Sequence, residues 1–220
     1  MKVGMVTIGQ SPRNDVILEI RGILGQFEIV EKGCLDELEK EQIESLKPKE
    51  GDPFLITLLR DGSSVQVSKE KALGLFQQRI KELESEDVTL IALLCTDDFP
   101  NSKSKKLLIM PGKLIHRMAQ GMLTKEKKLG VIIPSSGQMV QTEKKWIDVN
   151  HVVAVASPYE DPERVVEAAK TLQTKNVDLT VLDCIGYTRQ MKQKVREITG
   201  KPVILARTIL ARVLSELLEN

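Results

Sequence analysis

Short runs of apolar residues alternate along the chain with longer segments in which apolar positions recur every three or four residues. Such alternation predicts strands followed by helices, as in βαβ units. Most of the apolar runs are continuous, which is typical of strands that are buried on both faces of a parallel sheet. The pattern predicts strands at 2–7, 27–31, 89–94, 129–133, 152–156, 179–182 and 203–205, and helices at 12–24, 36–46, 69–84, 112–123, 137–147, 162–174, 187–198 and 208–218.

One segment departs from this rhythm. Two short apolar runs, 54–58 and 65–67, flank the turn dipeptide Asp61-Gly62. This arrangement predicts a β-hairpin, which we expect to be added to the parallel sheet.

The two halves of the chain resemble each other in outline. A strand, a polar turn and a helix start recur as "VTIGQSPRND" near residue 6 and "VIIPSSGQMV" near residue 131. Each half also ends in a strand that delivers a cysteine, Cys95 in the first and Cys184 in the second. We therefore expect an α/β fold of two pseudo-symmetric, three-layer α/β/α domains, with two strand ends, two helix starts and two thiols facing one cleft.

Composition narrows the class of protein. The 220 residues are 41% hydrophobic, enough for one compact unit or two small halves. Thirty-two Lys and Arg balance 31 Asp and Glu, and there are only four Phe, two Tyr and one Trp, so we expect neither a nucleic acid nor a membrane as partner. Three dispersed cysteines without a C-x-x-C spacing, and no signal-like or membrane-spanning run, favour a cytoplasmic protein.

The turn after the first strand is a candidate anion site, because ligands of open α/β sheets bind at the carboxyl ends of strands. In "TIGQSPR", Gly9 permits a tight turn, Ser11 is a good N-cap and Pro12 suits the first helical position. Free amides at the helix start attract an anion, and Arg13 adds a charged donor. An ordinary capped helix is the alternative interpretation.

The turn after the fourth predicted strand repeats this design. Ser135, Ser136 and Gly137 place two hydroxyls and a glycine before a helix. Alone this turn is also explained as a helix cap, but two such turns in matching places are more informative than either.

Cys95 and Cys184 both stand at the last apolar position of a strand, followed by polar turn residues. A thiol at a helix N-terminus has a lowered pKa, which makes it a base or nucleophile near neutral pH. The alternative is that each thiol is a small buried hydrophobe. Cys34 has no comparable setting, and Asp183, a strand neighbour of Cys184, is expected to make a structural contact.

Other types of site have little support. His116 and His151 lack a carboxylate or cysteine at ligand spacing, so no metal site is expected. The sequence has no phosphate loop, Gly-rich dinucleotide fingerprint or nucleophile-elbow serine, so no cofactor is expected.

Several separated motifs, in order, identify the chain as similar to the AroM family over essentially its whole length: "VTIGQSPRND", "LLCTDDFP", "LDCIGYT" and "PVILARTILARVLSELL". That family resembles in turn the cofactor-independent aspartate/glutamate and hydantoin racemase superfamily. The resemblance implies a second domain inserted into the first, with domains at 1–111 plus 207–220 and at 112–206. It also implies a possible homodimer.

The superfamily resemblance implies 1,1-proton transfer by two cysteines on opposite faces of one carbon, and Cys95 and Cys184 match its two cysteines by position. "CIG" at Cys184 is closest to the Cys-x-Gly pattern of hydantoin and allantoin racemases. The substrate would be a small carboxylate or hydantoin-like compound. The expected substrate-binding residues are Gly9, Gln10, Ser11, Arg13, Thr96, Ser135, Ser136, Gly137 and Gly186.

The chain also departs from the glutamate racemase pattern. Cys95 is followed by Thr96-Asp97-Asp98 rather than Asn-Thr, and Cys184 lacks a following Thr-His. Asp97 and Asp98 are expected to disfavour both a thiolate at Cys95 and an amino-dicarboxylate substrate. A non-catalytic protein that binds a small anion, or a regulatory protein, is therefore the alternative function.

Overall fold

The computed structural model describes residues 1–218, and its strands and helices alternate along the chain. The strands are β1 (Lys2–Thr7), β2 (Glu28–Gly33), β3 (Phe54–Leu58), β4 (Ser64–Ser68), β5 (Leu90–Leu94), β6 (Leu107–Ile109), β7 (Leu129–Ile133), β8 (His151–Val155), β9 (Leu179–Leu182) and β10 (Val203–Leu205). The helices are α1 (Asn14–Leu24), α2 (Lys40–Ser45), α3 (Lys69–Ser85), α4 (Pro111–Met122), α5 (Met139–Lys145), α6 (Glu163–Thr174), α7 (Arg189–Thr199) and α8 (Ala206–Leu218).

The chain divides into two compact units. The first comprises the residues up to Pro111 and those from Leu210 onward, and the second runs from Gly112 to Ile209. The second boundary lies inside α8, whereas the sequence places it at 207. Among the described residues, no helix is long and apolar enough to cross a membrane.

The first unit is built on a four-stranded parallel sheet in the order β2-β1-β5-β6. Helix α3 packs on this sheet because its buried residues, Ala72, Phe76, Ile80 and Leu83, recur at helical spacing along one face. The hairpin β3–β4 is antiparallel as predicted. The expectation that it joins the parallel sheet is wrong, since it forms a separate two-stranded sheet that contacts α3.

The second unit has a four-stranded parallel sheet in the order β8-β7-β9-β10. Counted along the chain within each parallel sheet, both sheets have the strand order 2-1-3-4. Gly4 in β1 and Gly130 in β7 play equivalent packing roles in the two sheets. A Cβ at Gly4 would press on Leu83 of a helix, and a Cβ at Gly130 would press on Leu172 of another. The predicted α/β class with mostly parallel sheets is confirmed, and the two units repeat one topology.

Candidate active site

Cys95 and Cys184 occupy equivalent positions in the two sheets. Cys95 directly follows β5, and Cys184 lies two residues after the end of β9. Each of these strands is the third of its parallel sheet in chain order and lies beside the first strand of that sheet, β1 or β7. The chain crosses from one side of the first strand to the other at this point, and such a switch in strand order opens a crevice for ligands at the carboxyl ends of the strands.

Both sulfur atoms face a backbone amide two residues further along the chain. The Asp97 amide lies 3.5 Å from Cys95 Sγ, and the Gly186 amide lies 3.4 Å from Cys184 Sγ. An N–H group directed at sulfur stabilises the thiolate relative to the thiol. The two loops therefore offer each cysteine the same local support for ionisation.

Cys95 is half-buried, and its neighbour Thr96 is buried. The Asp97 carboxylate accepts from Lys69 Nζ at 2.5 Å and from the Asp98 amide at 2.7 Å through the same oxygen, Oδ1. The Lys69 ammonium thus offsets charge on Asp97, and the expected effect of Asp97 and Asp98 on the thiol stays a prediction.

Cys184 is 7% exposed and has an aromatic neighbour that sequence patterns do not reveal. Tyr159, in the loop after β8, places its hydroxyl 4.0 Å from Cys184 Sγ. The Tyr159 ring lies so close to the next turn that a Cβ at Gly186 would overlap the ring and its hydroxyl. Because Gly186 has no side chain, the Tyr159 ring can lie against this turn with its hydroxyl near Cys184. The expected role of Gly186 in substrate binding stays a prediction.

Two buried residues fix the loop that follows Cys184. Arg207, 1% exposed at the start of α8, donates from Nε to Ile185 O at 3.0 Å and from Nη2 to Gly186 O at 2.9 Å. Tyr187 is fully buried and donates its hydroxyl to Ala156 O at 2.6 Å. Burial raises the pKa of Tyr187 well above its usual range, so its hydroxyl stays neutral.

Asp183 makes the structural contact expected for it. Its carboxylate accepts from Lys145 Nζ at 2.7 and 2.8 Å and from Trp146 Nε1 at 3.1 Å. These bonds tie the end of β9 to α5 and to the residue that follows it.

The turn after β1 does not form the helix cap that its sequence predicts. Helix α1 begins at Asn14, Arg13 occupies the N-cap position without a side-chain cap, and the Ser11–Pro12 peptide is cis. Ser11 instead donates its amide at 2.6 Å and its hydroxyl at 2.7 Å to the Asp36 carboxylate. The cap role predicted for Ser11 and Pro12 is therefore wrong, because Asp36 binds the groups that would have capped the helix.

Arg13 and Gln10 are engaged within the same unit. Arg13 is 2% exposed, and its guanidinium donates to Asp15 at 2.7 and 2.8 Å and to Thr7 Oγ1 at 3.1 Å. Gln10 donates from its side chain to Leu35 O and accepts from the Arg60 amide. Next to Gln10, Gly9 packs against the backbone of β3. These contacts hold the turn in shape. The role of Gly9, Gln10, Ser11 and Arg13 in ligand binding stays a prediction.

The turn after β7 forms the cap that its sequence predicts. Ser135 is the N-cap of a 3-10 turn at Ser136–Gln138 that leads into α5, and its hydroxyl accepts from the Gly137 amide at 3.3 Å. Ser135 is half-buried, while Ser136 and Gly137 are exposed.

Strand register brings the predicted residues together in two groups, one in each unit. Thr7 is level with Leu94, so residues 9–11 and the loop of Cys95 and Thr96 leave adjacent strands at the same edge. Ile132 is level with Leu182, so the Ser135 turn and the Cys184 loop leave the second sheet in the same way.

The fold of the chain is that of two-domain racemases and related isomerases. A glutamate racemase from Bacillus anthracis matches with a TM-score of 0.65 and 16% identity, covering 99% of this chain and 81% of that one. A maleate isomerase from Pseudomonas putida S16 matches with a TM-score of 0.64, 13% identity and coverage of 99% and 92%. An allantoin racemase from Pseudomonas fluorescens matches with a TM-score of 0.55 and 11% identity, covering 99% of this chain and 90% of that one.

The sequence itself identifies the family. The family described as AroM protein matches residues 3–218, and the chain belongs to it. No curated protein sequence matches the chain significantly. The suspected resemblance is confirmed at both levels, family and fold.

Proposed function

We propose that the protein is a cofactor-independent racemase or isomerase that uses Cys95 and Cys184 for 1,1-proton transfer on a small carboxylate or hydantoin-like compound. One observation carries the proposal: two thiols at equivalent switch points of two equivalent sheets, each with its sulfur facing the amide two residues ahead. The fold, which the chain shares with racemases and an isomerase, supports the same class of reaction.

In this reaction one thiolate removes the proton on the carbon next to a carbonyl or carboxylate. The C–H bond breaks, an S–H bond forms, and the electron pair moves into the carbonyl as an enolate. The other cysteine, as a thiol, returns a proton to the opposite face, so its S–H bond breaks and a new C–H bond forms. Inversion requires an acid and a base on opposite faces of one atom, which is the role proposed for the two thiols.

Two residues assist Cys184 in this proposal. The Tyr159 hydroxyl, 4.0 Å from Cys184 Sγ, is close enough to stabilise the thiolate or to contact a bound ligand. Arg207 keeps the carbonyls of Ile185 and Gly186 fixed, which directs the Gly186 amide at the sulfur. Thr96, Ser135 and Ser136 are proposed as polar ligands of the substrate.

Proton exchange in D2O tests the proposal. The protein is incubated with amino acids, hydantoins and hydroxy acids, and loss of the α-proton signal is followed by NMR. Two-base chemistry predicts that deuterium enters the inverted product before it enters the recovered substrate. We expect Cys95→Ala and Cys184→Ala each to lower the rate of inversion at least about 100-fold, in line with the contribution of a general acid or base.

Cys34→Ala is the matched control, since it removes the third thiol from a buried position outside the candidate site. It is expected to retain exchange if circular dichroism shows it folded. Inversion that survives in both site variants would contradict the proposal. Dependence on one cysteine alone would indicate one-base chemistry, as in an isomerase or decarboxylase.

A further inference from the structure

A lysine–aspartate ion pair includes Asp97, the residue whose amide faces Cys95 Sγ. Lys69 is the first residue of α3, and its side chain is 28% exposed; the Asp97 side chain, in the loop after β5, is 16% exposed. Lys69 Nζ also lies 5.8 Å from the centroid of the Phe99 ring. A pair this shielded from water interacts more strongly than one on an open surface.

Asp97 connects this ion pair to the thiol. Its side-chain oxygen Oδ1 binds both Lys69 and the Asp98 amide, while its own backbone amide faces Cys95 Sγ. The side chain of Asp97 and the N–H group that supports a thiolate are therefore fixed by one set of contacts. Without Lys69, the Asp97 carboxylate would lose its ammonium partner in the residue whose amide faces the sulfur.

We propose that Lys69 is a positioning residue that keeps Cys95 available as a thiolate by neutralising Asp97. The inference rests on the proposed function for its purpose, because a base at Cys95 is what the reaction needs. The acidity of the thiol can nevertheless be measured without any substrate.

Two other ionisable groups of the first unit belong to the surroundings of this thiol, and neither is positively charged. Asp98 adds a second carboxylate in the same loop. Cys34 interacts electrostatically with Cys95, but burial raises the pKa of the Cys34 thiol so far that it stays neutral. Among these groups, Lys69 supplies the positive charge that offsets Asp97.

The test is the pH dependence of iodoacetamide alkylation of Cys95 in the full-length protein, with the Cys95 and Cys184 peptides resolved by mass spectrometry. We expect Lys69→Met to raise the pKa of Cys95 by about one unit, so that alkylation near neutral pH slows about tenfold. Asp97→Asn should shift the pKa in the opposite direction, because Lys69 then acts on the thiol uncompensated. The double variant should return close to the wild-type value, and Lys69→Arg should retain it.

Lys71→Met is the matched control, because Lys71 lies on the same helix but donates to the carbonyls of Ser45 and Lys47. It removes the same net charge and should leave the Cys95 profile unchanged. A purely structural role for the pair predicts that Lys69→Met and Asp97→Asn shift the profile in the same direction, and that result would overturn the proposal. If Lys69→Met does not fold, a pKa of Cys95 in Asp97→Asn that is not lowered would do so as well.

These outcomes separate the two proposals. Unchanged alkylation in Lys69→Met rejects the role of Lys69 but leaves proton transfer by Cys95 open. Inversion that persists in Cys95→Ala rejects the proposed function, whatever the alkylation profile shows.

Discussion

Gly186 gives Tyr159 room to lie against the loop that carries Cys184. Its own amide faces Cys184 Sγ, its carbonyl accepts from Arg207, and its missing side chain leaves space for the Tyr159 ring. Three contacts of the thiol environment therefore meet at one residue.

Gly186→Ala is expected to push the Tyr159 ring away from Cys184. An extra methyl group in a packed site costs about 1–3 kcal/mol of unfolding free energy. We expect the proton-exchange rate to fall more than the stability alone explains, because the Tyr159 hydroxyl leaves the sulfur. Urea unfolding and NMR exchange measure the two effects separately.

Gly74→Ala is the control for this substitution. Gly74 lies in α3, where an added Cβ meets no neighbouring atom, so the change should stabilise the helix by about 0.5–1 kcal/mol and leave exchange intact. Equal exchange rates in Gly186→Ala and the wild type would show that the position of Tyr159 does not matter for the reaction.

Single residues of the candidate site differ in how far the sequence predicts them. Cys95 and Cys184 can be found because each closely follows an apolar strand, which is a local pattern. Tyr159 and Lys69 cannot, because each reaches its cysteine loop from another element and belongs to no motif. Arg207 does lie in the C-terminal motif, but nothing in that motif indicates its bonds to the loop of Cys184. Only the fold brings such residues together.

At the scale of elements, the turn after β1 is held by contacts from distant parts of the first unit. Asp36, in the turn after β2, accepts from the amide and hydroxyl of Ser11, from the Gly33 amide at 2.6 Å and from Arg60 Nη2 at 2.8 Å. Arg60, just after β3, also donates to Ser11 O at 2.7 Å. One carboxylate thus joins the ends of β1, β2 and β3.

Asp36→Asn should loosen this turn without changing its volume. An amide cannot accept on both of its terminal atoms, so at least one donor loses its partner, and we expect a loss of about 1.5–3 kcal/mol in unfolding free energy. Hydrogen exchange should show weaker protection of the Ser11 and Gly33 amides. Asp61→Asn, in the turn between β3 and β4, is the control and should leave both amides protected as before.

The predicted elements succeed and fail for physical reasons. The continuous apolar runs give β1, β7, β9 and β10 with their observed bounds, because both faces of these strands are buried. Strand β6 is missed because it has three residues, two of them not fully buried, after a lysine-rich turn. The hairpin is found from its turn, but local sequence does not say which sheet it joins.

At the scale of the whole molecule, the two units use one topology with different supporting residues. Both units place a cysteine after the third strand of their parallel sheet, yet a lysine–aspartate pair supports the first cysteine and a tyrosine and an arginine support the second. We therefore expect the two thiols to be matched in position and unequal in acidity.

The proposed reaction requires both sulfurs to reach one substrate carbon, and cross-linking tests this requirement. In a Cys34→Ala background, dibromobimane should join Cys95 and Cys184 and become fluorescent, because it fluoresces fully only when both arms have reacted. Mass spectrometry of the digest should show the two cysteine peptides linked.

Single-cysteine variants that retain only Cys95 or only Cys184 are the controls and should stay dim. If both cysteines of the two-cysteine protein instead react separately, each with its own reagent molecule, the thiols do not converge and the two-base mechanism is wrong.

The reactivity of Cys34 can be used to measure unfolding of the first unit. Its side chain is fully buried beside β1, and burial also raises the pKa of its thiol, so both shielding and chemistry block modification in the folded state. When a fast thiol reagent is present, the rate at which Cys34 is labelled reports how often this sheet opens to solvent. The natural thiol of Cys34 therefore serves as a kinetic probe, and no engineered label is needed to measure the opening rate of this sheet.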